Sequence, residues 1–172
     1  MTSFTKQAHT NQNTVEISMG GLGFTTPEKT LLQTFVGSCI AICIYDPSVK
    51  IAAMAHIMLP KNNTNDPNPK PEAKFADVAI KIILGKLQVN GAKLNRLKAK
   101  MAGGANIFQN EGKSNAFNIG ARNAVAIKSL LDEQKIPIVA QDVGSTSGRW
   151  VVFDVNSLEM KIKDRTKSVK VI

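Results

Sequence analysis

Residues 35–46 read FVGSCIAICIYD, and residues 51–60 read IAAMAHIMLP. Both runs are short, dense in β-branched and other apolar residues, and separated only by PSVK. That pattern predicts two strands joined as a hairpin, with no room for a helix between them. Side chains alternate along a strand. Cys39, Ala41, Cys43 and Tyr45 therefore share one face, and Ile40, Ile42 and Ile44 the other. In the second run Ala52, Met54, His56 and Met58 fall on one face, opposite Ile51, Ala53, Ala55 and Ile57. Asp46 and Pro47 suit the first two positions of a type I turn. Pro47 disfavours the primed turns of a two-residue loop, so a four-residue loop over 46–49 is expected. That register sets Cys39 directly opposite His56, whereas an odd-numbered loop would set His56 opposite Ile40.

Working outward, TVEISMGGLGF (14–24) reads as a strand entering a glycine turn, and TLLQTFVG (30–37) as a further strand. Residues 60–72, PKNNTNDPNPKPE, form an Asn- and Pro-rich loop that follows the His56 strand closely and is expected as a lip beside it. Phe75, Val78, Ala79, Ile82, Ile83 and Leu87 recur at helical spacing, closing at Gly91. LNRLKAKMAGGA (94–105) reads as a strand ending in a glycine turn. A second amphipathic helix follows, with Asn118 as its cap and Ile119, Val125, Ile127, Leu130 and Leu131 among its apolar positions. IPIVAQDVG, RWVVFDV and EMKIKD supply three last strands. The expected fold class is α/β: mostly antiparallel sheet layers with two main helices packed on them, an α/β sandwich. The division expected is a disordered, Asn/Gln/Thr-rich tail over 1–13, one domain over 14–165 and a basic C-terminal tail over 166–172.

Composition narrows the function classes. At 172 residues the chain suffices for one domain with a proper core. Lys and Arg number 22 against 13 Asp and Glu, a net charge of +9 that invites a nucleic-acid reading. The basic residues, however, cluster in 93–100 and 161–172 without interleaved aromatics, and the chain has one Trp and one Tyr to stack on bases. No nucleic-acid partner is expected. No apolar run is long enough to span a bilayer, so no membrane insertion is expected either. The absence of a secretory signal, with two cysteines in one apolar segment, points to a reduced, cytoplasmic protein. Cys39, Cys43, His9 and His56 match no zinc spacing, and AGGAN makes no phosphate loop, so neither a metal nor a cofactor is expected.

Strand pattern leaves Cys39 open to two readings. Free cysteine is among the most buried residue types, and a His between two Met residues fits a core equally well. Against that, a thiol beside an imidazole suits nucleophilic catalysis. A neighbouring imidazolium lowers the thiol pKa from ~8.5 towards neutrality, and the ring can then protonate a leaving group. Thr34 or Gln33 would hold the ring. Gly37 and Ser38 let a substrate approach the backbone, with the Cys39 amide available to an oxyanion. Cys43 is assigned to packing.

VGSCIAICIYDP, MAHIMLP, KFADVAI, MAGGANIF, NIGARN and IPIVAQDVGSTSGRWVVFDV, in that order, resemble the CheD family of chemoreceptor glutamine deamidases. The resemblance implies a CheD-like α/β sandwich. It implies hydrolysis of the side-chain amides of particular glutamines on chemoreceptor cytoplasmic helices, giving glutamate and ammonia. It puts the family nucleophile on Cys39, the histidine on His56, and the threonine on Thr34 as the nearest match. It also implies possible binding of a CheC-like phosphatase. Two other functions compete: a non-catalytic adaptor for such a phosphatase, and a thiol amidase acting on another protein.

Overall fold

The computed structural model describes residues 13–107, 118–166 and 168–172; the tail expected over 1–13 lies almost wholly outside them. The strands, in chain order, are β1 Thr14–Glu16, β2 Leu22–Phe24, β3 Leu31–Val36, β4 Ile40–Asp46, β5 Ile51–Ile57, β6 Lys98–Gly103, β7 Ile138–Val143, β8 Arg149–Asp154, β9 Glu159–Lys163 and β10 Val169–Val171. The helices are α1 Ala76–Val89 and α2 Ile119–Glu133. Two five-stranded sheets form, ordered β1-β3-β8-β9-β10 and β2-β5-β4-β6-β7. Pairing is antiparallel except for β1 with β3 and β6 with β7. This is the expected α/β sandwich.

The second sheet is the middle layer. Ile40, Ile42, Ile44, Ala53, Ala55 and Ile57 pack against α1 and α2, while Ala41, Cys43, Tyr45, Ala52 and Met54 pack against Leu32, Val36, Val151 and Phe153 of the first sheet. All seven residues of β4 are buried. A strand covered on both faces must be apolar on both, which is why 40–45 lacks polar alternation. Each isoleucine enclosed here contributes about 1.5–3 kcal/mol.

The hairpin turns one residue later than expected. Asp46 pairs with Ile51, the loop is residues 47–50, and His56 faces Ala41 rather than Cys39. The cause is Asp46. Its carboxylate is buried, accepts the Ser48 amide at 2.9 Å, and pairs with Arg96 at 2.6 Å, which holds it in the strand. Lys50 closes the loop at φ 53°. The loop keeps four residues, so facial parity survives, and Cys39 stands two positions beyond the residue facing His56. Both lie on the side facing the first sheet, where Cys39 packs against the inter-sheet cluster.

The helices form where the spacing predicts, but their buried stripes are rotated. Helix α1 buries Ala76, Ala79, Ile80, Ile83, Leu84 and Leu87, leaving Val78 and Ile82 half-buried. In α2, Asn118 accepts the Ala121 amide at 3.0 Å as the expected cap, and Ile127 and Leu131 are buried. Ile119 and Val125 are exposed, and Asn123 is buried in their stead. Residues 94–96 form a 3-10 turn before β6. The basic stretch expected as a tail over 166–172 includes β10, which pairs with β9.

A candidate thiol–imidazole site at the end of the sandwich

Three elements meet at one end of the inter-sheet layer. Strand β3 alternates, so Thr34 points inward and Phe35 outward. Thr34 Oγ1 lies 2.9 Å from His56 Nδ1 on β5 and 2.8 Å from the Ile17 carbonyl. A hydroxyl has one hydrogen, and the carbonyl can only accept it. Thr34 therefore donates to Ile17 and accepts from His56, which fixes the imidazole as the Nδ1–H tautomer. Nε2 is left with its lone pair, buried and without a hydrogen-bond partner among the described residues. Gln33, the alternative holder of the ring, instead donates to Glu16 Oε1 at 2.9 Å.

Cys39 is half-buried and Cys43 fully buried; both are free thiols. Burial pushes the Cys39 thiol up and the His56 imidazole down. Burial thus works against the imidazolium-lowered thiolate expected from the sequence. Desolvation disfavours both ions. Among the described residues His56 Nε2 has no hydrogen-bond partner, so the Cys39 sulfur shares a face of the sheet with the ring without being hydrogen-bonded to it. Burial also pushes Cys43 well up, opposed by Lys100. With its packing in the inter-sheet core, that is the filler role expected of it.

The loop carrying Gly37, Ser38 and Cys39 is held from behind by the glycine turn after β6. Gly104 N donates to Cys39 O and Ala105 N to Gly37 O, both at 2.8 Å. Gly103 has φ +120°, and a Cβ there would lie 2.3 Å from Cys39 O, so only glycine fits. Arg149 on β8 fixes this turn. Buried, it pairs with Asp142 Oδ1 at 2.6 Å and donates to the carbonyls of Gly103 at 3.3 Å and of Gly144. One guanidinium thereby ties the two sheets together beside Cys39. The glycine turn over 103–104 was expected from the sequence, whereas Arg149 was given no role. The signal was an Arg at an inward-facing position of the strand 149–154.

The opening to the imidazole is a cleft of about 370 Å³ lined by Glu16, Ile17, Ser18, Met19, Thr34, Phe35, His56 and Trp150. Strand β1 ends at Glu16, so β3 has no β1 partner beyond Gln33. The loop 60–72 does not line this cleft. It packs Pro71 against Gly20, and its start borders a separate cleft with Phe75, Ile119 and Arg122. Among the described residues no three His, Cys, Asp or Glu converge on a metal position; His9 lies outside them.

Residues 58–164 match the family model described as CheD chemotactic sensory transduction. The chain belongs to the CheD family. Among CheD proteins, the chemoreceptor glutamine deamidase CheD of Halalkalibacterium halodurans is 40% identical over 149 residues, 87% of this chain and 92% of the relative. The probable chemoreceptor glutamine deamidase CheD of Clostridium novyi is 38% identical over 162 residues, 94% of this chain and 99% of the relative. Its counterpart in Syntrophomonas wolfei is 37% identical over 149 residues, 87% and 92% of the two chains. The CheD match takes in the glycine turn and Arg149 and begins two residues after His56.

Proposed function

We propose that this protein is a cysteine-dependent glutamine deamidase acting on the cytoplasmic helices of chemoreceptors. The observation that carries the reading is the Thr34–His56 hydrogen bond, which leaves the Nε2 lone pair free on the face shared with Cys39. As Cys39 Sγ bonds to the carboxamide carbon, its proton passes to Nε2 and the carbonyl π pair moves to oxygen, giving a tetrahedral intermediate that still holds its C–N bond. Imidazolium then gives the proton to nitrogen, the C–N bond breaks, and ammonia leaves a thioester on Cys39. Neutral His56 next takes a proton from water, whose oxygen attacks the thioester carbon. Collapse expels the sulfur, which recovers the proton from imidazolium, and glutamate is released. Among the described residues the amides of Ser38 and Cys39 donate to no protein acceptor, and we assign them to the oxyanion. No helix among the described residues is long and apolar enough to cross a membrane. We assign the reaction to the cytoplasm, because its proposed substrate helices are the receptor's cytoplasmic ones.

Mass spectrometry of a chemoreceptor cytoplasmic fragment tests this. Wild-type protein is expected to convert specific glutamines to glutamates, and Cys39→Ala to convert none while remaining folded. A Cys39→Ala protein as active as wild type would refute the mechanism.

A further inference from the structure

Three large apolar side chains crowd the cleft that reaches His56, all facing solvent: Met19 is 62% exposed, Phe35 48% and Trp150 47%. Phe35 and Trp150 are a directly opposed pair across β3 and β8. Their rings meet edge-to-face with centroids 5.3 Å apart, the geometry that aromatic quadrupoles favour. The pair has its space reserved: a Cβ on Gly148 would lie 2.6 Å from Phe35 Cζ. On the far side of the Cys39 loop, exposed Ile107 covers Gly37, where a Cβ would lie 2.6 Å from Ile107 Cδ1.

Charge distinguishes this region from the rest of the molecule. In a chain of net charge +9, no Lys or Arg among the described residues lines the cleft. Among its described lining residues the one charged side chain is Glu16, whose carboxylate is engaged by Gln33. Such a surface takes an apolar, uncharged stretch of polypeptide and offers no cation to an acidic one. His56 lines the same cleft, so a segment lying on the aromatic rim runs beside the histidine.

We propose that Phe35 and Trp150, with Met19, are the substrate-docking ridge, gripping the apolar face of the amphipathic receptor segment that carries the target glutamine. The inference rests on the deamidase reading above. The two rings determine which segment is modified and how tightly it is held, while the chemistry stays with Cys39 and His56. Exposed aromatics of this kind supply much of the binding energy when a partner covers them.

Steady-state deamidation of a chemoreceptor cytoplasmic fragment tests the ridge, with iodoacetamide alkylation of Cys39 as a readout that needs no substrate. Phe35→Ala and Trp150→Ala are each expected to raise KM about tenfold or more and to leave kcat within about twofold. Alkylation rates are expected to match wild type, and Trp150→Phe to recover most of the affinity. A KM unchanged in both alanine variants would overturn the inference while the wild-type activity upheld the deamidase reading. So would a fall in kcat and in alkylation at constant KM, which would make the pair a support for the site. No conversion of the fragment by wild-type protein would remove the deamidase reading itself, and the ridge with it.

Discussion

Thr34 has a single hydroxyl hydrogen, and the Ile17 carbonyl takes it; the consequences for His56 follow from that atom count. Thr34→Val keeps the shape and removes the acceptor, leaving Nδ1–H unpaired and the tautomer unspecified. Turnover is expected to fall by about 10²-fold at nearly unchanged KM, whereas Thr34→Ser is expected to retain most activity. Steady-state kinetics with the receptor fragment distinguish the two. Burial lowers the His56 pKa, so the base is competent once pH exceeds a value below the ordinary imidazole range. The acid limb of kcat/KM is accordingly expected below the usual ~6.5, with the rate already level at neutral pH. An acid limb above that value would mean that the imidazole is held charged. Cys39 and His56 were legible in the sequence because strand parity puts them on one face. The direction of their pKa shifts was not, because it depends on how deeply the first sheet covers them.

At the scale of the elements, the β4–β5 hairpin and the turn after β6 fix where Cys39 stands. Asp46 sets the hairpin. Burial alone would raise its pKa, but hydrogen bonds from Arg96, Lys93 and Ser48 hold it down at about 2. A carboxylate with a lowered folded-state pKa contributes stability that is present above the unfolded value near 4 and lost as pH falls through 2. That contribution is about 2 kcal/mol. Asp46→Asn is expected to lose stability at pH 7 in denaturant titrations and to differ progressively less from wild type as pH falls from 4 to 2. A turn beginning one residue early was the natural reading of Asp-Pro, because the tie from Arg96, fifty residues on, is invisible locally. The turn after β6 is the second constraint. Gly103→Ala must accommodate both a positive φ and a clash with the Cys39 carbonyl. It is expected to cost about 2–3 kcal/mol in thermal or denaturant unfolding and to displace the loop that carries Cys39.

On the scale of the whole molecule, two sheets and a helical layer enclose β4 completely, and the site lies where one end of the inter-sheet layer opens. The layers were readable from periodicity. The rotation of the helical stripes was not, since Asn123 rather than Val125 is buried through a hydrogen bond to the Met58 carbonyl. Nor was the inter-sheet clamp, since Arg149 donates not only to the Gly144 carbonyl five residues before it but also to that of Gly103, 46 residues away on the other sheet. Arg149→Ala leaves Asp142 and those carbonyls without the guanidinium, and a loss of about 3–5 kcal/mol is expected from denaturant titration. In the proposed mechanism the sulfur of Cys39 becomes covalently bonded to the glutamine carbon during turnover. Rapid acid quenching of the reaction with a chemoreceptor fragment, followed by mass spectrometry of the digested protein, tests it. A transient adduct of fragment minus ammonia is expected on the peptide bearing Cys39, absent in Cys39→Ala. Full deamidation with the adduct on Cys43, or deamidation undiminished in Cys39→Ala, would contradict it.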